Sequence, residues 1–172
     1  MANNNTNIQA SDTHEVALQQ LEPQPTLSIR DTIQVANLPN VMSDWIPALL
    51  GYLEQCGAQS AGPIFVRYHT FEMVESDLEV GIPVVDPAPG EGRIAAGELP
   101  GGPAITTWHL GPHDDKFREA YARMGAWLTE HDREAAGPSW EVYYWIDPSQ
   151  NNNPSTQHDP STWRTQLVQP VK

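Results

Sequence analysis

The sequence predicts an α+β fold in which one strand–helix–strand–strand unit occurs twice and builds a curved antiparallel sheet. Stretches with the two-residue period of half-buried strands alternate with two stretches that have the helical period. The chain also contains 16 prolines and 12 glycines, which indicates many turns between short elements. A length of 172 residues is enough for one domain with a substantial core.

The first half of the chain predicts a strand, a helix and three further strands. Alternation of apolar and polar residues predicts the first strand, over residues 27–35. Ser43 or Asp44 caps a helix that Gly57 ends, and the apolar residues between them lie on one stripe. The remaining strands are predicted at residues 64–69, 78–85 and 93–99.

The second half predicts a strand, a helix and two strands, the same order as the first four elements of the first half. A β-branched strand over residues 104–110 precedes a helix over residues 114–130, which Asp114 or Asp115 caps. Apolar residues recur in this helix at i, i+4, i+7 and i+11, and they are Phe117, Tyr121, Met124 and Leu128. Two strands follow, at residues 140–146 and 163–171, with a polar loop over 149–158 between them.

The domain boundary is expected near residue 26. Residues 1–25 are polar and are expected to form a mobile tail with one weak helical turn over residues 16–21. The chain has neither a basic, apolar leader nor a run of ~18 apolar residues, so we expect a cytoplasmic protein without a membrane span. The single cysteine, Cys56, excludes an intrachain disulfide and is expected to pack as a small hydrophobic residue.

The charge of the chain is strongly negative. It has 22 acidic and 9 basic side chains, for a formal charge of -13. Such a charge repels phosphate backbones and anionic lipids and attracts cations, so neither nucleic acid nor a membrane is an expected partner. A solvated surface that keeps the protein in solution explains the same charge. A preference for cationic ligands therefore stays open on charge alone.

An internal repeat supports the duplicated fold. At an offset of 75 residues, Ala61-Gly-Pro aligns with Ala136-Gly-Pro, and helical residues 52–55 align with residues 127–130. Turns favour Gly and Pro, but the shared order of elements and the shared helix register favour duplication over coincidence. Two such units are expected to pair about a pseudo-twofold axis, with both helices on one side of the sheet and a cleft where the units meet.

The most aromatic predicted strand reads Trp-Glu-Val-Tyr-Tyr-Trp and carries the main candidate site. Alternation places Glu141, Tyr143 and Trp145 on one face. A carboxylate among rings offsets its desolvation by pairing with a ligand cation, while cation–π attraction adds ~1–2 kcal/mol. A solvent-facing Glu141, or one that pairs with Arg67 or Arg164, explains the same pattern.

Three further aromatic residues, Tyr68, Trp108 and Trp163, either line the same cleft or fill the layer between sheet and helices. Tyr68 overlies Tyr143 in the repeat, so these two are expected to face the same way. We take all of them as candidate ligand-binding residues.

His109 and His113 are also candidate binding residues. They lie four residues apart, but Gly111 and Pro112 interrupt any helix and no cysteine pair completes a metal site, so no metal is expected. His109 is expected to make a hydrogen bond at a strand end, with a proton-shuttle role as the alternative. The glycines between residues 90 and 97 lack the helix and Lys-Ser/Thr pair of a nucleotide loop, and no cofactor is expected.

Several short motifs occur together in a fixed order. They are Ala61-Gly-Pro-Ile-Phe-Val-Arg-Tyr-His69, Glu79-Val-Gly-Ile-Pro83, Pro89-Gly-Glu-Gly-Arg93, Ala96-Gly-Glu-Leu-Pro100, His109-Leu-Gly-Pro112, Trp140-Glu141 with Tyr143, and Trp163-Arg-Thr165. With these motifs, residues 26–172 resemble the GyrI-like, or AraC-type effector-binding, family of multidrug-binding domains.

The resemblance implies a fold of two pseudo-symmetric units with an aromatic cleft that holds a buried glutamate and binds cationic drugs. Glu141 stands at the position of that glutamate. His113 departs from the family, which commonly has a tyrosine after Gly-Pro, so a role for that phenol is not carried over. Without an evident helix-turn-helix unit, the chain resembles standalone members of the family.

The resemblance implies three functions. The first is sequestering or sensing of cationic or polar aromatic small molecules, such as drugs and DNA-damaging natural products, as in drug resistance. The alternative is a hydrolase that opens strained cyclopropane rings of DNA-alkylating drugs, with Glu141 as the catalytic base. The third is a protein-interaction module, such as a modulator of DNA gyrase. No nucleophile elbow of the Gly-x-Ser-x-Gly type is present.

Overall fold

The structure is a computed structural model that describes residues 15–146 and 159–172. These residues form eight strands and two α-helices. In chain order they are β1 (Ala17–Leu21), β2 (Gln24–Gln34), α1 (Leu38–Cys56), β3 (Phe65–Tyr68), β4 (Glu75–Pro83), β5 (Ala95–Leu99), β6 (Gly102–Leu110), α2 (Asp115–Glu130), β7 (Trp140–Tyr143) and β8 (Arg164–Pro170).

All eight strands belong to one antiparallel sheet, in the order β1-β6-β8-β7-β3-β4-β2-β5. The pair β3 and β7 forms its centre, and the order β3-β4-β2 on one side matches β7-β8-β6 on the other. Phe65–Tyr68 and Trp140–Tyr143 differ by the offset of 75 found in the sequence. The predicted α+β fold of two repeated units is therefore confirmed, with the pseudo-twofold axis between β3 and β7.

Two short linkers force the sheet to curl. Only Glu22 and Pro23 join β1 to β2, although these strands lie near opposite ends of the sheet. Pro100 and Gly101 join β5 to β6 in the same way. The linkers pack against each other, since a Cβ on Gly101 would lie 2.6 Å from Cδ of Pro23. The sheet is consequently a curled half-barrel in which the two linkers contact each other.

Both helices cover the same face of the sheet. Val66 of β3 pairs with Glu141 of β7, which pairs with Leu167 of β8, and directly paired residues of antiparallel strands point to the same side. Val66 packs in the hydrophobic cluster under α1, whereas Leu167 packs under α2. The prediction that the helices share one side is confirmed, and the cleft between them lies above β3 and β7.

Local sequence signals predicted two of the helix ends correctly and one wrongly. Asp114 caps α2 by accepting a hydrogen bond from the Lys116 backbone N–H, and Gly57 ends α1 with a φ of 72°, both as predicted. However, α1 begins at Leu38 and not at Ser43 or Asp44. Because the helix begins earlier than predicted, Pro47 lies inside it.

The N-terminal region was predicted wrongly. Residues 16–21 do not form a helical turn, because Ala17–Leu21 is β1 and pairs with β6. Residues 17–21 and 24–25, assigned to the tail, thus lie in strands, which only their pairing with distant strands defines. Cys56 is exposed and not packed in the core. The rest of the tail and the predicted loop over 149–158 lie outside the described residues.

The predicted strands differ from the observed ones by at most three residues at either end, so each predicted strand is confirmed as a strand. Neither of the described helices is both long and apolar enough to cross a membrane.

Gly81 is the glycine that packing requires most clearly. A Cβ at this position would lie 2.4 Å from Cζ of Phe65 and 2.9 Å from Cβ of Ser28. We expect Gly81→Ala to lower the free energy of unfolding by about 1–3 kcal/mol, because the Phe65 ring must leave its place. Urea denaturation measures the loss.

Gly125→Ala is the matched control. A Cβ at Gly125 would meet nothing within 4 Å, and the residue lies inside α2. This variant is expected to gain about 0.5–1 kcal/mol from helix propensity. A Gly81→Ala protein as stable as the wild type would show that Phe65 does not need this space.

Candidate ligand-binding site

The site is built around Glu141, which lies at the centre of the sheet beside the pseudo-twofold axis. Its side chain faces the cleft between the helices and is only 2% exposed. Val66 occupies the equivalent position in the first unit, and the two residues are paired neighbours. The duplication therefore places one carboxylate, and not two, at the centre of the cleft.

Three tyrosine hydroxyls donate hydrogen bonds to this carboxylate. The Tyr143 hydroxyl lies 2.7 Å from Oε1, and the Tyr68 hydroxyl lies 3.3 Å from the same oxygen. The Tyr121 hydroxyl lies 2.5 Å from Oε2. These phenols come from β7, β3 and α2, so both repeats and one helix position the carboxylate.

Burial and hydrogen bonding act on the carboxyl group in opposite directions. Burial raises the pKa of Glu141, while the hydrogen bonds from Tyr121, Tyr143 and Tyr68 lower it, and the net shift is upward. Burial, reinforced by the charge of Glu141, raises the pKa of each of these tyrosines well above its usual value. The phenols therefore remain protonated donors at all ordinary pH values.

No basic side chain among the described residues neutralises Glu141. Its hydrogen bonds there all come from phenols, and none of the ion pairs includes it. Arg67 pairs with Trp140 on the opposite face, and the Arg164 guanidinium carbon lies 4.7 Å from the Trp108 ring. The alternatives of a solvent-facing Glu141, or of one paired with either arginine, are both wrong.

A second group of rings adjoins the tyrosines. Trp145 and Trp163 stack face to face, with ring centroids 3.9 Å apart, and Trp145 lies 5.4 Å from Tyr143. Both indole N–H groups are buried without a hydrogen-bond partner in the described part of the chain. The strand was expected to continue to Ile146, but β7 ends at Tyr143 and Trp145 lies in a turn.

The two histidines extend this ring cluster. The His113 ring stacks on Phe117 at 4.2 Å, and its Nε2 lies 2.8 Å from the hydroxyl of the buried Thr165. Although more than a third of its surface is exposed, the packing around the ring lowers the pKa of His113, which keeps it neutral at pH 7. His109 Nε2 lies 2.8 Å from the Pro112 carbonyl oxygen, the predicted hydrogen bond at a strand end.

Trp108 is the one candidate that the structure places elsewhere. It pairs with Gln166, which pairs with Val142, and Val142 alternates with Glu141 along β7. Trp108 therefore lies on the opposite face, where it contacts Tyr144 at 5.0 Å and Arg164. The expectation that it lines the cleft is wrong, because His109, its neighbour in β6, takes the face under α2.

Three residues of this cluster, Phe71, Phe117 and Tyr121, were not among the binding residues predicted from the sequence. Phe117 and Tyr121 were assigned to the apolar stripe of α2, and they do face the sheet. A tyrosine on a buried stripe needs an acceptor for its hydroxyl, and a buried glutamate needs donors. These two requirements together could have predicted a hydrogen bond between Tyr121 and Glu141. Phe71 follows β3 in a loop, where periodicity carries no information.

The described residues contain no group of three or more histidine, cysteine, aspartate or glutamate side chains arranged to hold a metal ion. The site is thus defined by one carboxylate, three phenols and adjoining aromatic rings.

Residues 14–172 match the family model of the GyrI-like small molecule binding domain. The chain belongs to this family, whose members bind small molecules. A search of curated protein sequences gave no match.

Solved structures share the fold. The EcmrR C-terminal domain superposes with a TM-score of 0.75 and 23% identity, over 92% of this chain and 97% of that one. A hydrolase encoded by lin2189 from Listeria innocua gives a TM-score of 0.62 with 12% identity, covering 95% and 94% of the two chains. SAV2435 bound to tetraphenylphosphonium gives 0.61 with 12% identity, covering 92% and 94%.

The raised pKa of Glu141 predicts how stability depends on pH. Because the folded state holds this proton more tightly than the unfolded state, Glu141 contributes stability at low pH that is lost as pH rises through its folded pKa. We expect Glu141→Gln to remove this loss. In urea denaturation, the free energy of unfolding of the variant minus that of the wild type should therefore increase as pH rises from about 4 to 7.

Glu119→Gln, an exposed substitution on α2, controls for the change in net charge. Its difference from the wild type should stay nearly constant over the same range. A constant difference for Glu141→Gln would mean that the carboxyl group is not destabilised by burial.

Proposed function

We propose that this protein binds cationic aromatic small molecules in the cleft between α1 and α2, and so acts by sequestering or sensing them. The single observation that carries the proposal is Glu141, a carboxylate 2% exposed whose hydrogen-bond donors among the described residues are neutral phenols. A buried charge without a counter-ion is costly. A ligand cation near these rings would supply the missing charge.

The surroundings of Glu141 favour a ligand that is both cationic and aromatic. Rings of Tyr68, Tyr121 and Tyr143 surround the carboxylate, and Trp145 and Trp163 extend the aromatic surface from Tyr143. Aromatic faces attract cations by about 2 kcal/mol where water is excluded. The formal charge of -13 adds long-range attraction for cations.

One relative supports the choice of ligand class. SAV2435, which has the same fold, was solved bound to tetraphenylphosphonium, a cation with four aromatic rings. EcmrR, whose C-terminal domain is similar, was solved in a complex with DNA, and this chain aligns with 57% of that EcmrR chain. The expectation that this chain does not bind nucleic acid rests on its charge and stays a prediction.

The hydrolase alternative requires Glu141 to activate water. Both carboxylate oxygens already accept phenolic hydrogen bonds, which compete with a water molecule for the lone pairs of these oxygens. This geometry favours binding over general-base catalysis, although one relative is described as a hydrolase. Incubation with a cyclopropane-bearing alkylator tests the point by mass spectrometry, since a protein-dependent gain of one water would favour the enzyme.

The charge of the ligand should determine the effect of Glu141. We expect Glu141→Gln to weaken tetraphenylphosphonium binding by about 1–3 kcal/mol, because a charged acceptor becomes neutral. Binding of triphenylphosphine oxide, a neutral molecule of similar shape, should change little. Isothermal titration calorimetry at pH 7 measures both ligands against both proteins.

Glu98→Gln is the charge-matched control, because Glu98 is an exposed carboxylate on β5, the edge strand of the sheet. It removes the same charge from the protein and should leave both affinities near the wild-type values. Equal losses for the two ligands in Glu141→Gln would indicate a damaged fold. A loss of tetraphenylphosphonium affinity in Glu98→Gln as large as that in Glu141→Gln would make net charge the cause.

A further inference from the structure

The loop between β3 and β4, residues 69–74, exposes an unusual amount of apolar surface. Phe71 is 69% exposed, Met73 91% and Val74 71%. The described residues include seven exposed large hydrophobic side chains, and three of them lie in this loop. We call residues 69–74 the rim loop.

Hydrogen bonds hold the backbone of the rim loop in place. The Ser76 hydroxyl accepts from the Glu72 backbone N–H and donates to the Glu72 carbonyl oxygen, each at 2.9 Å. The Val74 carbonyl oxygen accepts from the Val35 N–H at 2.9 Å. A backbone anchored at these points keeps the loop from collapsing onto the sheet. Its apolar side chains are therefore displayed to solvent in the free protein.

The rim loop adjoins the candidate site through Phe71. Its ring centroid lies 5.1 Å from that of Tyr68 and 5.6 Å from that of Tyr121. Both tyrosines donate hydrogen bonds to Glu141. The exposed apolar surface is consequently continuous with the aromatic wall around the buried carboxylate.

We propose that the rim loop is an apolar subsite of the cleft, in which Phe71 contacts the aromatic substituents of a bound cation. This inference rests on the proposed function and adds a specificity to it. Contact with Phe71 stabilises only complexes of cations that carry apolar substituents around their charged centre. The protein therefore selects cations with aromatic substituents over compact cations.

Charge around the rim loop favours such a ligand over a second copy of the chain. Glu72 and Glu75 are both exposed and flank Met73 and Val74. Two copies meeting at this surface would bring four like charges together, which opposes association. The same carboxylates attract a cation whose apolar part covers the loop.

Phe71→Ala tests the subsite by calorimetry with two cations. We expect it to weaken tetraphenylphosphonium binding about tenfold, because part of a buried ring contact is lost. Affinity for tetramethylammonium, which has no aromatic substituent to place against Phe71, should stay within about twofold of the wild type. Unchanged tetraphenylphosphonium affinity, or equal loss for both cations, would overturn the proposal.

Val85→Ala is the matched control, since Val85 is also an exposed apolar residue, at 54%, but follows the other end of β4. It should leave both affinities unchanged. Val74→Ala, the same substitution within the rim loop, should weaken tetraphenylphosphonium binding alone. Equal effects of the two valine substitutions would count against a local subsite.

A spectroscopic measurement reports on Phe71 directly. The chain has three phenylalanines, so 4-fluorophenylalanine labelling gives three ¹⁹F resonances that Phe→Leu variants assign. Tetraphenylphosphonium should shift the Phe71 resonance and reduce its solvent isotope effect, while Phe65, buried on the opposite face, serves as the reference. A Phe71 resonance that saturating ligand leaves unchanged would overturn the proposal.

A neutral ligand separates failure of the subsite from failure of the proposed function. If Glu141→Gln binds cations as well as the wild type does, cation binding at Glu141 fails. Triphenylphosphine oxide then still tests the rim loop, because its rings require Phe71 but not Glu141. Weaker binding of this ligand to Phe71→Ala supports the subsite, and unchanged or absent binding overturns it.

Discussion

The antiparallel pairing of β3 with β7 is the contact on which the rest of the molecule depends. It joins the two repeats into one sheet and sets Val66 beside Glu141. Because directly paired residues point to the same side, this register turns the carboxylate toward the face that both helices cover. A slip of one residue would move Glu141 to the opposite face and bring Trp140 into the cleft. The β3–β7 register therefore determines both the packing of the sheet and the presence of a carboxyl group in the cleft.

Duplication explains how the fold supplies hydrogen-bond donors to one buried carboxyl group. Tyr68 and Tyr143 occupy equivalent positions in β3 and β7, and both donate to Oε1. The symmetric scaffold thus supplies a matched pair of donors, and the asymmetric residue between them, glutamate in one repeat and valine in the other, receives both. Tyr121 of α2 completes the set at Oε2. The carboxyl group thus has three phenolic donors, and among the described residues no basic side chain pairs with it.

The sequence predicted the fold class, the repeat and the position of Glu141, because these follow from periodicity, an offset alignment and family motifs. It failed where distant strands decide the outcome. Nothing local in Ala17–Leu21 marks a strand, since its pairing with β6 depends on the curl of the whole sheet. The face of Trp108 was equally hidden, because β6 carries aromatic side chains at both Trp108 and His109. Only the pairing register assigns them to opposite sides.

Two features of the free protein are unfavourable, and both lie at the cleft. Glu141 is desolvated without a counter-ion in the described residues, and the rim loop exposes Phe71, Met73 and Val74 to water. In most proteins, a buried charge pairs with another side chain and large apolar side chains pack against the rest of the chain. Here the hydrogen bonds of Ser76 and of the three tyrosines hold both features in place. In the function proposed above, a single amphipathic cation would relieve both, since its charge would pair with Glu141 and its rings would cover the rim loop. The free energy that these two features cost the free protein would then contribute to ligand binding.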